Sequence, residues 1–158
     1  GNVITGGVVT KPMNVGGGLR AAFGGADGFV VAYNGASGAW LWDKRIGGAT
    51  NDYLYGVTSD NHGGVVVGGS FEGVANFGGT SLTPVGGGDA YVAKYTSTGA
   101  LTWVRQVGGS SSDITQEVTV TATDNPIAVG YFYGSGDFNG TSLTSAGAAD
   151  GFVVRSAP

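Results

Sequence analysis

The chain has 158 residues, a net charge of −4, no cysteine and only 11% charged residues, against ~25% in an average soluble domain. The seven basic residues are scattered without a run, which argues against a nucleic-acid-binding surface. The sequence contains no run of 18 apolar residues, so it predicts no membrane helix. The lack of cysteine excludes disulfides and thiolate metal sites. The 33 glycines have no three-residue period, which excludes collagen, and their clusters between apolar runs are typical of turns in an all-β protein.

An internal repeat organises the chain. Asp89–Asp150 is one full copy of the repeat. The 62 residues of Asp27–Gly88 match it with an alignment shift of one residue. Residues Gly1–Asp27 match Gly63–Asp89 at an offset of 62, and a further copy opens at Asp150. The sequence therefore predicts a repeat array.

Four types of strand recur in chain order, separated by turns of Gly, Asn, Asp and Ser. By type, they are Val3–Val9, Val65–Phe71 and Ile127–Tyr133; Gly28–Tyr33, Ala90–Tyr95 and Gly151–Arg155; Trp40–Ile46 and Leu101–Val107; and Tyr53–Ser59 and Ile114–Thr121. Central glycine pairs such as Gly68-Gly69 indicate close approach of neighbouring backbone. No segment has an apolar period of 3.6 residues long enough for a helix.

This pattern predicts an all-β fold of β-propeller blades, with four antiparallel strands per ~62-residue repeat and about 2.75 blades. The expected single array divides into an incomplete blade at 1–50, a complete one at 51–110 and an incomplete one at 111–158. A stack of β-sandwiches or a β-solenoid is the alternative, although solenoid repeats are usually shorter. Because propellers have ~4–8 blades, we expect the array to be part of a larger ring or assembly.

The segment from Asp89 to Trp103 reads Asp-Ala-Tyr-Val-Ala-Lys-Tyr-x-x-x-Gly-x-x-x-Trp, followed by Gly108-Gly109 and Asp113. Residues Asp27–Asp52 carry a second copy. This pattern resembles the SBBP repeats of bacterial β-propellers, and its Gly-x-x-x-Trp element resembles the tryptophan-docking repeat of quinoprotein propellers. The resemblance implies that the strand after Asp52 or Asp113 is innermost in its blade and that the tryptophan strand is outermost. If the four strands of a blade are labelled a to d from the innermost to the outermost, the strands of this chain are b-c-d, a-b-c-d and a-b-c in sequence order.

The acidic residues are interpreted as structural. Most aspartates recur once per repeat at a turn, where their side chains cap backbone groups; the sets are Asp27, Asp89 and Asp150; Asp52 and Asp113; and Asp60 and Asp124. Asp43 and Glu117 break the repeat, but nothing else marks them. His62, the single histidine, lies in a glycine-rich turn and is expected to be solvent-exposed. We therefore expect no catalytic residues, no metal ligands and no cofactor.

Aromatic residues give the candidate ligand site. Trp42 and Trp103 occupy a repeated position and are expected to pack in the interior. The candidate ligand-binding residues are aromatics that do not recur in every copy: Trp40, Tyr53, Tyr55, Tyr131 and Tyr133. Aromatic rings with polar tips stack on sugars, although packing between blades explains the same residues.

The function expected from these observations is a non-enzymatic, structural, adhesive or assembly-forming role, and a lectin-like carbohydrate-binding module is the alternative. An enzyme with a pocket at the central face of the ring is a third hypothesis. The composition, poor in lysine and rich in Gly, Ser and Thr, favours an extracellular or cell-surface location in bacteria. The expected partners are further blades of a longer parent chain or other copies of this chain, with glycans as a further candidate. The uncharged strands Val3–Val9 and Gly151–Val154 are expected to be covered by more polypeptide.

Overall fold

The computed structural model describes residues 1–156. This part of the chain forms sixteen β-strands and contains no helix, so it has no helix that is able to cross a membrane. The strands are β1 (Asn2–Val9), β2 (Met13–Asn14), β3 (Leu19–Arg20), β4 (Asp27–Asn34), β5 (Trp40–Gly48), β6 (Asp52–Ser59), β7 (Val65–Phe71), β8 (Ala75–Asn76), β9 (Ser81–Leu82), β10 (Asp89–Tyr95), β11 (Leu101–Gly109), β12 (Asp113–Val120), β13 (Pro126–Phe132), β14 (Ser135–Asp137), β15 (Ser142–Thr144) and β16 (Asp150–Arg155).

The long strands form three antiparallel sheets in chain order. Sheet 1 is β1-β4-β5, sheet 2 is β6-β7-β10-β11, and sheet 3 is β12-β13-β16. Sheet 2 is a complete four-stranded meander, and its neighbours have three long strands each. The prediction of an all-β fold with antiparallel strands is thus confirmed. Across residues 1–156 the sheets remain open, with no strand that joins sheet 3 back to sheet 1.

The sheets pack face to face through two apolar cores. Leu54 and Val67 of sheet 2 meet Val30 of sheet 1 in the first core, and Val66 and Val92 of sheet 2 belong to the second core, with sheet 3. Strands such as β7 are buried along their whole length because sheet 2 is covered on both faces. Side chains of a strand alternate between the two faces of a sheet. Along each strand of sheet 2, alternate residues therefore contribute to the first core and to the second core.

The strand pairing corrects the sequence alignment of the third repeat. Phe71 pairs with Asp52 on one side and Asp89 on the other, and Phe132 pairs in the same way with Asp113 and Asp150. Phe132 is therefore the counterpart of Phe71, and the expected match of Ile127–Tyr133 with Val65–Phe71 was wrong by one residue. The physical reason is burial, because Phe132 lies in the second core whereas Tyr133 is exposed.

Short hairpins form in segments between the long strands where the sequence predicts only turns. β8 pairs with Gly47 and Gly48 at the end of β5, and β14 pairs with Gly108 and Gly109 at the end of β11. A Cβ atom on Gly48 would collide with the Val74 carbonyl oxygen. The glycine pairs are therefore required for close backbone approach, and the β8–β9 hairpin thereby connects sheet 1 to sheet 2.

Candidate functional site

A groove lined by tyrosines lies along the edge strand β12. Tyr53 and Tyr55 of β6 reach it from sheet 2, and Tyr131 and Tyr133 reach it from sheet 3, with Ile114 between the two pairs. The rings of Tyr53 and Tyr55 are stacked, with centroids 5.8 Å apart. The rings of Tyr131 and Tyr133 meet edge to face at 6.0 Å. The structure thus brings together four of the five aromatic residues proposed from the sequence.

Neighbouring strands contribute to this grouping. Tyr53 pairs with Ser70, and Tyr131 pairs with Ile114, which lines the recesses beside both pairs of tyrosines. Beside Tyr53 and Tyr55 is a recess of about 140 Å³. Polar groups of Ser70, Glu72, Ser112 and Asp113 also line it, as do Gly87, Gly88 and Ile114. Burial raises the pKa of Tyr55, so its phenol remains protonated at neutral pH. Such a recess offers flat rings, hydroxyls and a carboxylate, which are groups that contact sugars.

Trp40 lies apart from this groove. Its ring covers the backbone of Gly16 and Gly17, and its indole N–H donates a hydrogen bond of 3.0 Å to Asp43 Oδ1. Arg20 donates two further hydrogen bonds to the same carboxylate. Asp43, which the sequence analysis noted as outside the repeat pattern, therefore joins Trp40 to the β2–β3 hairpin.

The recurring aspartates close turns through backbone N–H groups. Five of the seven accept a hydrogen bond from the N–H four residues earlier: Asp27 from Phe23, Asp89 from Val85, Asp150 from Ala146, Asp52 from Gly48 and Asp113 from Gly109. This geometry supports the structural interpretation of the aspartates. Asp27, Asp52, Asp89 and Asp113 are nevertheless buried, which the sequence analysis did not foresee.

Burial perturbs the aspartates at the junctions between sheets. It raises the pKa of Asp52 to about 6, with a contribution from the nearby Asp27 carboxylate. Burial also raises the pKa of Asp113, and the charge of Asp89 adds to the effect. These carboxyl groups are buried at the junctions between sheets, and Asp113 also lines the recess beside Tyr53 and Tyr55.

A second polar cluster joins two turns from successive repeats. Asp60, His62 and Asp124 place potential metal-ligand atoms within 4.8 Å of one another. Each carboxylate oxygen already accepts a hydrogen bond, because Asp124 binds Asn61 and His62 while Asp60 binds the Lys94 ammonium and two backbone N–H groups. The cluster therefore acts as a contact between turns. His62 is exposed, as expected from the sequence. Its partner Asp124 was not predicted, although the equivalence of Asp60 and Asp124 is visible in the repeat.

Both outer sheets expose an apolar face whose counterpart in sheet 2 is covered. Val153 of β16 is 75% exposed, whereas its counterpart Val92 in β10 is 1% exposed. Val3 of β1 is 54% exposed, whereas its counterpart Val65 is fully buried. Tyr131 is the counterpart of Ser70 and belongs to the same open face of sheet 3. Tyr131 therefore lies on a face of sheet 3 that is open, whereas the equivalent face of sheet 2 is covered by the next sheet.

No protein-family model matches the chain, and no curated protein matches it in sequence.

Proposed function

We propose that this chain is a non-enzymatic β-propeller repeat protein of the SBBP type, with a structural or adhesive role, that associates with further repeats of its own kind. Its three sheets are blades in this proposal, and its location is extracellular or at the cell surface. The observation that carries the proposal is the exposure of Val153 against the burial of Val92. The same position of the repeat is a core position in one sheet and a surface position in the next.

The exposed residues are not isolated. Val129 lies on the neighbouring strand directly opposite Val153 and is also exposed. On the other side of the molecule, Val3 and the unpaired edge of β1 form a second open surface without charged side chains. Large exposed apolar patches on soluble proteins mark sites of association, and uncharged open edges add strands from other chains.

Sedimentation velocity between 1 and 100 µM tests the proposal. We expect the chain to associate, and we expect Val153→Lys to weaken the association because a charge would then be buried. Val85→Lys is the matched control, since Val85 is also 75% exposed but lies outside the sheets. A folded chain that remains strictly monomeric at tens of micromolar would contradict the proposal.

Carbohydrate binding is the second candidate function, and the stacked Tyr53 and Tyr55 beside the polar recess favour it. A glycan array followed by titration calorimetry tests it. We expect Tyr55→Ala to abolish binding of any sugar that is found, because Tyr55 is half exposed and its loss leaves the cores intact. Tyr33→Phe is the control, because Tyr33 lies in sheet 1 and bonds the Val15 carbonyl. An array without hits at millimolar sugar would count against this function.

A further inference from the structure

Each junction between sheets is closed by the same pair of backbone hydrogen bonds. At the first junction, Gly25 N–H donates to Thr50 C=O and Asp52 N–H donates to Ala26 C=O, at 3.2 and 2.7 Å. At the second junction, Gly87 N–H donates to Ser111 C=O and Asp113 N–H donates to Gly88 C=O, at 3.2 and 2.9 Å. The first strand of each new sheet is thus tied to the residues that precede β4 or β10.

We call the two residues that bind the first strand of the next sheet the docking position. Within the described residues, the third docking position, which precedes β16, has no strand bound to it. The counterparts of Gly87 and Gly88 are Ala148 and Ala149, and neither forms a backbone hydrogen bond within the described residues. Ala149 is exposed, whereas its counterparts Ala26 and Gly88 are buried. The Ala148 N–H and the Ala149 carbonyl therefore lie at an exposed position whose counterparts hold a strand at the other two junctions.

The sheet face beside Ala149 completes the docking position but differs from the other two in one respect. At the first junction Leu54 lies over Gly6, and at the second Thr115 and Val118 lie over Gly68, so that a Cβ atom added to either glycine would collide with these side chains. The counterpart in sheet 3 is Val129. Its side chain fills the space that the glycines leave open, so a residue as large as Leu54 or Thr115 does not fit above it.

We propose that the open face of sheet 3 binds the first strand of another repeat, one that begins with aspartate and carries glycine or alanine two residues later. The aspartate N–H bonds the Ala149 carbonyl, and the small residue lies on Val129. The inference rests on the proposed function and deepens it, because it defines the partner. Neither β6 nor β12 of this chain has a small residue at that position, so the specific occupant is a different repeat, and self-association through this face is a weaker substitute.

A synthetic strand tests this inference. The probe is a fluorescent peptide with the sequence of residues 108–120 and the change Thr115→Ala, titrated into the full chain and followed by anisotropy. We expect saturable binding that is about tenfold tighter than that of the peptide with Thr115, since overpacking of about one methyl group is relieved. Methylation of the aspartate backbone nitrogen is expected to weaken binding about tenfold, because the Ala149 carbonyl loses its donor.

The chain variant Val129→Gly provides the reciprocal control, with its fold checked by circular dichroism. Because it recreates the space found at Gly68, the peptide with Thr115 should then bind as well as the peptide with Ala. No binding by the Thr115→Ala peptide at 1 mM, or binding that is insensitive to both Val153→Lys and backbone methylation, would overturn the inference. If the chain self-associates and the peptide does not bind, the proposed function stands and only this partner assignment fails.

Discussion

The indole N–H of Trp42 in sheet 1 donates a hydrogen bond of 2.9 Å to the carbonyl oxygen of Ser97, in the turn between β10 and β11 of sheet 2. The same ring covers Gly99, where an added Cβ atom would lie 2.7 Å from Trp42 Cδ2. A side chain at the outer strand of one sheet is therefore fixed on a turn of the next. Trp42 thus connects two successive repeats, in addition to filling a core.

Trp42→Ala should lower the free energy of unfolding by about 3–5 kcal/mol, as expected for a buried aromatic residue. Trp103→Ala should cost less, because Trp103 is only partly buried and, within the described residues, its indole N–H has no hydrogen-bond partner. Urea denaturation followed by circular dichroism measures both values. Equal losses for the two variants would show that the contact with Ser97 and Gly99 contributes little.

Gly69→Ala should destabilise the protein by about 1–3 kcal/mol, the usual cost of overpacking. The added Cβ atom would collide with the Tyr53 carbonyl oxygen, which is backbone and has no rotamer with which to move away. Gly147→Ala is the matched control, because no atom lies within 4 Å of its Cβ position, and its effect should stay within about 0.5 kcal/mol. Thermal unfolding of the two variants side by side gives the comparison.

Local sequence patterns predict much of the fold. Runs such as Val65–Phe71, bounded by glycine turns, predicted the long strands, and the recurring aspartates predicted turns that the structure contains. The two-residue hairpins were missed because a pair such as β8 and β9 has no periodicity of its own. It exists because Gly47 and Gly48 allow a neighbouring backbone to approach, which is a tertiary condition.

The candidate site was predictable only in part, for a related reason. Unrepeated aromatics pointed to Tyr53, Tyr55, Tyr131 and Tyr133, and the structure brings these four together in the groove. Trp40 satisfied the same criterion but lies elsewhere, because Asp43 and the glycines of the β2–β3 hairpin hold its ring. The shift of one residue at Phe132 also escaped the sequence alignment, since Tyr133 and Phe132 are equally aromatic and only burial distinguishes them.

Asp52→Asn should stabilise the protein at pH 7.5 by about 1–2 kcal/mol and leave it unchanged near pH 4. The folded-state pKa of Asp52, about 6, is above the ordinary value of 3.8, so the folded protein holds a proton that the unfolded chain has lost. Wild-type stability should therefore fall as the pH rises from 4 to 6. Asparagine removes the buried charge and keeps an oxygen to accept the Gly48 N–H.

Urea titrations at pH 4, 5.5 and 7.5 measure this dependence. Asp137→Asn controls for the change in net charge, because Asp137 is exposed and its side chain also accepts a backbone hydrogen bond, from Gly140. A stabilisation by Asp52→Asn that is the same at pH 4 and 7.5 would argue that the carboxyl is not responsible.

Lys94→Met should destabilise the protein at neutral pH through Asp60. The Lys94 ammonium lies 3.0 Å from Asp60 Oδ2, and the two side chains are only 14% and 5% exposed. Burial raises the pKa of Asp60, but hydrogen bonds from Lys94, His62 and Gly64 outweigh it and hold the pKa below its ordinary value. Removing the ammonium leaves a carboxylate without its counter-charge, which costs about 3 kcal/mol, at the low end of the range for a broken buried pair.

The pH dependence distinguishes this ion pair from simple packing. Because the folded-state pKa of Asp60 is depressed, its contribution is present above the unfolded pKa of about 3.8 and is lost as the pH falls through the folded value. The gap between wild type and Lys94→Met should therefore be large at pH 7 and should narrow as the pH falls below 3.8. Asp60→Asn retains an acceptor for the Gly64 N–H, so a double-mutant cycle with Lys94→Met isolates the charge interaction. Lys11→Met, at an exposed lysine, controls for the lost positive charge. A gap that does not narrow as the pH falls below 3.8 would assign the loss to packing of the lysine stem.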